Sequence, residues 1–439
     1  MRSPPQPSNL RTYTIIWIGQ TASLIGSEIT RFALIIWIWQ LTNEATPISL
    51  LAFFTEVPIL VVSVFAGILV DRFNRKWLMI LGDAIAGCSS IAIFILLLSN
   101  NLAIWHLYFI SAIAGLFGYI QGLAFSTSQA LIVPQQHYVR IGALGSIQGF
   151  GSGVFAPALA GILYPLVGLA GILVLDVMTF VIAVATLMVV HIPQPAYQDE
   201  MQQETQLRSW QQLTFGFRYL LQHPSLAVLQ LFTLSFIFFD NAALLEPVVL
   251  ARTNNNTAIL GSVSSALGLG GLVGAIALGI WGGPERRIRG VLWGRGIIFS
   301  LEMLLGLAAA PTIWITAFFC AGLIKPTANS CEDAIWLSKV PPKIQGRVFA
   351  ASSFLLGMIS PLGLLISGPL ADHVFEPAML PGGTLAPFLG NIFGTEQGSG
   401  MALQFTLFSF IVVLICIGSY AIPVLRNIED LLPDRDAVV

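Results

Sequence analysis

Charge is scarce in this chain. Asp, Glu, Lys and Arg make up 10% of its 439 residues, where a soluble protein carries about 25%. A soluble core of this length needs a far more polar skin. With 56% hydrophobic residues, the chain is built for lipid. The net charge of −2 says little, because the placement of charge matters more than its sum. Cysteine is also rare. Cys88, Cys320, Cys331 and Cys416 sit in apolar segments without disulfide or metal-ligand spacing, and read as small core residues. His106, His137, His191, His223 and His373 are scattered and make no metal-spaced pair. There is no Ser/His/Asp or Cys/His constellation, so the sequence offers no catalytic centre. The phosphate-cradling Gly-x-x-x-x-Gly-Lys-Ser/Thr loop is missing, which argues against ATP hydrolysis. No basic stripe of the kind that binds nucleic acid occurs. No cofactor and no metal are expected, and no cleavable signal is evident.

What the chain has is long apolar runs. A crossing needs about 20 mostly apolar residues. Such spans fall near 12–39, 47–70, 77–99, 103–127, 141–165, 168–190, 225–250, 258–282, 289–309, 312–337, 347–374 and 401–425. Backbone polar groups cannot go unpaired in hydrocarbon, so all of these are expected to be helices. The fold class is an all-α membrane protein of twelve transmembrane helices in two pseudo-symmetric six-helix bundles.

The positive charges support that count. Even-numbered connections and both tails carry Arg72, Arg75, Lys76, Arg140, Arg208, Arg218, Arg286, Arg287, Lys339, Lys343, Arg347 and others, whereas the odd-numbered connections carry only Arg252. The positive-inside rule then places both termini in the cytoplasm of a multi-pass protein of the plasma (inner) membrane. The expected domains are an N-terminal bundle over 1–190, a linker over 191–224, a C-terminal bundle over 225–425 and a tail over 426–439. The linker's later part (Trp210, Leu213, Phe215, Phe217, Tyr219, Leu220, Leu221) reads as an amphipathic helix on the membrane or as a plain connection.

The halves repeat weakly. Val133-Pro134, five residues and Arg140 match Val340-Pro341, five residues and Arg347. Ala156-Pro157 through Gly161 echo Gly368-Pro369 through Asp372, and Gly67 with its basic loop has a degraded counterpart from Gly279 to Arg287. Two homologous halves around a cavity are the geometry of alternating access.

The most specific segment is Gly67-Ile-Leu-Val-Asp71-Arg72-Phe-Asn74-Arg75-Lys76. It resembles the loop between helices 2 and 3 of the major facilitator superfamily, Gly-x-Leu-Ala-Asp-Arg-x-Gly-Arg-Lys, with Val70 and Asn74 as departures. The likeness covers nearly the whole chain. It is similar to the enterobactin-exporter and macrolide-efflux branch of drug:proton antiporters through Gly19-Gln20, Arg31-Phe32-Ala33-Leu34, Gly346-Arg347-Val348-Phe349 and Gly368 to Asp372. Antiporters of the superfamily carry an Arg in helix 4, three residues before a Gln-Gly pair. Here Gln121-Gly122 are present and that position holds Gly118.

The resemblance makes Gly67, Asp71, Arg72, Arg75 and Lys76 a conformational latch, with Asp71 accepting from the backbone at the start of helix 11; a bare orientation signal is the simpler reading. Charges at membrane depth are the other candidates, since each costs about 2.5–3.5 kcal/mol on insertion scales and needs a partner or a wet cavity. Glu28 and Arg31 share a face of helix 1. Either they neutralise each other, or Arg31 replaces the absent helix-4 arginine and tunes Glu28 as a proton site. Glu56, Gln121, Asp240, Asn241, Glu246 and Lys325 complete the proton-coupling or cavity candidates. Lys325 can bridge to Asp240 or to Glu302. Asp83 and Asp176 read as structural, Asp372 as a helix-end residue, and Phe236, Phe238, Phe239, Tyr119, Trp314 and Trp336 as possible cavity walls.

The reading is therefore a monomeric secondary transporter, not an enzyme. It exports an amphipathic small molecule (a siderophore, another secondary metabolite or a macrolide-type drug), with protons as coupling ion and helices 1, 4, 7 and 10 lining the path. An uncoupled facilitator or importer is the nearest alternative. A non-transporting receptor or a membrane enzyme on lipid substrates is more distant, because no interfacial catalytic cluster appears.

Overall fold

A computed structural model describes residues 10–190, 192 and 214–431, and every regular element among them is helical. The chain runs through α1 (Leu10–Thr42), α2 (Thr46–Arg72), α3 (Arg75–Leu98), α4 (Ile104–Ile132) and α5 (Tyr138–Val189). After 214–222, which is also helical, come α6 (Pro224–Ala242), α7 (Leu245–Arg252), α8 (Thr257–Trp281), α9 (Arg287–Glu302), α10 (Leu304–Leu307), α11 (Pro311–Lys339) and α12 (Pro342–Leu370). A π turn at Ala371–Phe375 leads into α13 (Glu376–Met379), followed by α14 (Ala386–Phe393) and α15 (Ser399–Ala421). Among the described residues, ten helical segments are long and apolar enough to cross a membrane.

Several expected boundaries move, each for a local reason. The spans at 141–165 and 168–190 have no loop between them. α5 turns only at Gly168, with φ 64° and ψ −174°, a conformation that essentially requires glycine. The span at 225–250 is interrupted where Ala243 and Leu244 adopt extended backbone between α6 and α7. Asp372 is not at a helix end. It lies in the π turn, and helical structure continues to Met379. The segment 193–213, which includes Trp210 and Leu213, lies outside the described residues.

The chain divides into two compact units: residues 1–197 with 255–265, and residues 198–254 with 266–439. In the first, α1 packs closely on the second half of α5. A Cβ on Gly19 would strike Thr186 and one on Gly26 would strike Thr179, so two glycines seven residues apart set the approach, as small residues do in membrane helices. Around them Tyr13, Ile16, Met79, Ala124 and Leu187 are wholly buried. Residues 255–265 are tied to this unit by Trp39 Nε1 donating to Asn255 Oδ1 (2.7 Å) and Thr257 Oγ1 donating to Gly161 O (2.9 Å).

The second unit's core joins α6, α9, α11, α12 and α15 through Leu229, Val291, Ile335, Val348 and Val412. The helical stretch 214–222 packs on α12. Phe217 meets Phe354 edge-on and Arg347 lies over the Phe215 ring. The Glu376 carboxylate accepts from Gly398 N (2.5 Å), Gly400 N (3.0 Å) and Met401 N (3.2 Å). It thereby satisfies the free donors at the start of α15, where the dipole also favours an anion.

Replacing Gly26 with Val is expected to force α1 away from α5 and cost about 1–3 kcal/mol. A lowered thermal midpoint of the purified protein in detergent would show it, whereas Gly118→Ala, with open space at its Cβ position, should leave the midpoint unchanged.

Candidate functional site

The basic loop is built into the first unit by its own side chains. Asn74 caps α3, its Oδ1 accepting from Lys76 N (3.0 Å) and Trp77 N (3.3 Å), which gives the departure from the resembled pattern a physical purpose. Arg75 is buried and donates to Thr127 O at 2.9 Å. Lys76 Nζ donates to Met188 O (3.2 Å) and Val190 O (2.7 Å), placing a cation on the carbonyl end of α5. Asp71 is 78% exposed and touches Arg75 at 3.4 Å. Arg72 and Gly67 are exposed, and nothing lies near the space a Cβ on Gly67 would occupy. Thus Arg75 and Lys76 hold helix ends within their own unit, while Asp71 and Arg72 face outward.

The depth charges of the first unit separate into two groups. Arg31 Nε and Nη2 donate to Glu28 Oε2 at 2.9 and 2.7 Å, at the surface of α1. The two expected partners therefore touch directly on one face of α1. Glu56 sits half-buried on α2, two residues before Pro58.

A second group gathers Gln121, an expected cavity candidate, with Asp83 and Gln20, which were not expected at a site. Asp83 is 4% exposed. Gln20 Nε2 donates to its Oδ2 at 2.8 Å and Gln121 Nε2 to its Oδ1 at 3.3 Å, and Gln121 also donates to Gln20 Oε1. The cluster joins α1, α3 and α4 through amides alone, and among the described residues no Lys or Arg forms an ion pair with Asp83. Asp176 repeats the arrangement with hydroxyls. It is 5% exposed and accepts from Ser27 (3.3 Å) and Ser90 (2.5 Å), beside a cavity of about 140 Å³.

The second unit holds one of its buried carboxylates, Glu332, with a cation. Arg295 Nη2 lies 3.4 Å from Glu332 Oε2 with both side chains about one-tenth exposed. The same nitrogen donates to Asn329 Oδ1 (2.6 Å), and the guanidinium lies 4.2 Å over the Phe236 ring. Thr233 Oγ1 donates to the other oxygen of Glu332 at 2.5 Å. Glu302 is buried at the end of α9, and the charges that act on it across space are Asp240, Lys325 and Arg295. Neither expected Lys325 bridge closes to a direct ion pair among the described residues. Asn241 donates to Ile237 O at 2.9 Å, a bond within its own helix, and Glu246 opens α7, its carboxylate in the first turn.

A cavity of about 420 Å³ opens beside this network, between α6, α11 and α12. Glu332, Asp333 and Trp336 stand on its α11 wall, and Gln230 and Ser352 face it from α6 and α12. Its size falls in the range of small-molecule sites. Of the aromatics expected at a cavity, Trp336 lines this one, Phe236 carries Arg295, and Trp314 is packed away at 1% exposure.

Reasoning from charge alone missed Gln20 and Arg295 as site residues, and it set Asp83 and Asp176 aside as structural. All of them are polar groups well inside apolar runs, and searching for amides there as well as charges would have grouped Gln20 with Asp83 and Gln121.

Long apolar helices with ionisable side chains buried among them mark a multi-pass membrane protein. The chain belongs to the Major Facilitator Superfamily, whose family model matches residues 16–364. It is 28% identical over 373 residues to macrolide efflux protein A of Streptococcus pyogenes, covering 83% of this chain and 90% of that one. It is 22% identical over 347 residues to the enterobactin exporter EntS of Shigella boydii serotype 18, covering 76% and 79%. In fold it is similar to a bacterial homologue of the human lysosomal transporter Spinster in an inward-facing, unoccupied conformation, with a TM-score of 0.66 at 13% identity over 93% and 96% of the two chains. The family is one of transporters, not enzymes.

Removing one member of the buried ion pair should be far worse than removing both. Arg295→Met leaves Glu332 without its cation and is expected to cost about 3–5 kcal/mol, with much of the loss recovered in Arg295→Met/Glu332→Leu. Thermal midpoints of the two variants check this.

Proposed function

We propose that this protein exports an amphipathic small molecule across the plasma membrane by proton-coupled alternating access. Twelve crossings are the natural reading of its helices. α5 counts as two, divided at Gly168, and the 29-residue α11 crosses although its interior charges keep it out of the ten most apolar segments. The bundles are 1–190 and 225–425, joined by the linker 191–224 and followed by the tail 426–439. The basic residues of the α2–α3 loop and of Arg286-Arg287 before α9 favour cytoplasmic termini.

Asp83 is the single observation that carries proton coupling. It is a buried carboxylate with two amide donors and, among the described residues, no Lys or Arg in an ion pair with it, at the point where α1, α3 and α4 meet. Gaining or losing a proton there changes the charge at the centre of three helices and the hydrogen bonds that join them. Gly118 removes the arginine that the resembled antiporters place on helix 4, and Gln121 one turn away remains to address Asp83. Glu28 is a weaker coupling candidate because Arg31 already occupies it. Asp240, beside Glu302 and Lys325, is the counterpart in the second unit. Similarity to a macrolide efflux protein and an enterobactin exporter supports export of such cargo.

The test is efflux from proteoliposomes with and without an imposed pH gradient, using macrolides, siderophores and fluorescent amphipathic dyes. Asp83→Asn should lower gradient-driven efflux at least about tenfold and leave gradient-independent exchange of the same compound intact. If Asp83→Asn keeps full gradient-driven efflux while Glu28→Gln or Asp240→Asn abolishes it, coupling resides there instead. Wild-type movement indifferent to the gradient would identify a facilitator.

The latch has its own check. Asp71 and Arg72 are unnecessary for holding the first unit together, so Asp71→Asn is expected to slow transport severalfold with membrane insertion and thermal midpoint unchanged. Full transport by that variant would reduce the loop to an orientation signal.

A further inference from the structure

The cavity between α6, α11 and α12 has a sign. Two carboxylates, Glu332 and Asp333, stand on its wall, and no Lys or Arg lines it. Glu332 is fully engaged: Arg295 takes one oxygen and Thr233 the other. Asp333, the next residue, is exposed to the cavity, and no hydrogen bond or ion pair engages its carboxylate among the described residues. One turn of α11 further, the Trp336 indole lines the same wall and meets Phe349 of α12 edge-on at 6.4 Å. An aromatic wall beside an available carboxylate is the environment that a desolvated organic cation finds favourable.

A second feature points independently to a ligand. Gln230 of α6 is 4% exposed and lines the cavity. Its Oε1 accepts from Ser352 at 2.6 Å, while its Nε2 is buried without a hydrogen-bond partner. Leaving a buried amide donor unsatisfied costs about 1–3 kcal/mol, so an acceptor on a bound molecule would be rewarded at that point.

We infer that this cavity selects the cationic end of the exported molecule, with Asp333 as the residue that reads its charge and Gln230 Nε2 as a donor to a neighbouring ether, ester or hydroxyl oxygen. The inference rests on the export reading and narrows it. A protonated amine on an oxygen-rich apolar body fits the cavity, whereas an anionic cargo such as a catecholate meets two carboxylates on a wall that no Lys or Arg lines, the nearby Arg295 being already paired with Glu332.

Equilibrium binding to the purified full-length protein in neutral detergent tests the charge rule without any gradient. Tetraphenylphosphonium and tetraphenylborate have the same shape and opposite charge. The wild type should bind the cation at least about tenfold more tightly than the anion. Asp333→Asn should weaken cation binding about tenfold, and Asp333→Glu should restore it. A macrolide bearing a protonated dimethylamino group should follow the cation, and Gln230→Leu should weaken the macrolide while sparing tetraphenylphosphonium, which has no acceptor. Equal binding of the two aryl ions, or cation binding unchanged in Asp333→Asn, overturns the inference. Because proteoliposome efflux is read separately, export that persists in either case leaves the transport reading standing, and its absence from the panel removes both.

Discussion

Hydrocarbon gives polar groups nothing to bond to, and the interior of this protein is organised by that fact. The helices satisfy their own backbones, but their ends and their charged side chains do not satisfy themselves. Cations therefore go to carbonyl ends. Lys76 sits on the last carbonyls of α5, and Arg252 donates to Leu305 and Gly306 where α10 stops. Anions go to amide ends, with Glu376 at the start of α15 and Glu429 accepting from Arg287 N and Ile288 N at the start of α9. What cannot reach an end must find a partner within its own unit. Those obligatory partnerships fix which helices lie together and which groups remain free to act.

The two units meet the requirement in different chemical currencies. In the first, Asp83 and Asp176 are held by amides and hydroxyls from α1, α3 and α4. In the second, Arg295 binds Glu332, and Lys325 with Arg295 acts on Glu302. Neutral donors stabilise a carboxylate in either protonation state to some degree, whereas a direct cation strongly favours the ionised one. The first arrangement suits a group whose charge changes during a cycle, and the second suits a fixed scaffold around a cavity.

Much of the architecture was legible because lipid imposes a simple grammar. Span length, helicity and the alternation of basic residues all follow from the bilayer, and the loop from Gly67 to Lys76 is specific enough to point to the superfamily. The misses have physical causes. Hydropathy sees α5 as two apolar runs but cannot see that Gly168 turns the backbone without a loop. It sees an unbroken run over 225–250 because Ala243 and Leu244 are as apolar as their neighbours, although their backbone is extended. At the sites, Glu28 and Arg31 pair as their three-residue spacing permits, since partners on one helix face are fixed by sequence alone. Gln20, Asp83 and Gln121 come from three helices, and only packing brings them together.

The same distinction separates the groups that can drive a cycle from those that only survive it. A carboxylate already bound by arginine, such as Glu332, gains little from a new cation, because binding one must first displace the partner that made burial possible. A carboxylate exposed to a cavity, such as Asp333, can exchange water for an organic cation at small cost and gain from the aromatic wall beside it. A carboxylate sealed among amides, such as Asp83, can accept only something as small as a proton until the helices around it part. Exchange of a proton for a cationic cargo asks for one site of each of the last two kinds. Size alone would then keep the two cations from competing for the buried group, and the Arg295–Glu332 pair between α9 and α11 leaves Asp333 as the carboxylate on the cavity wall without a direct ion partner among the described residues.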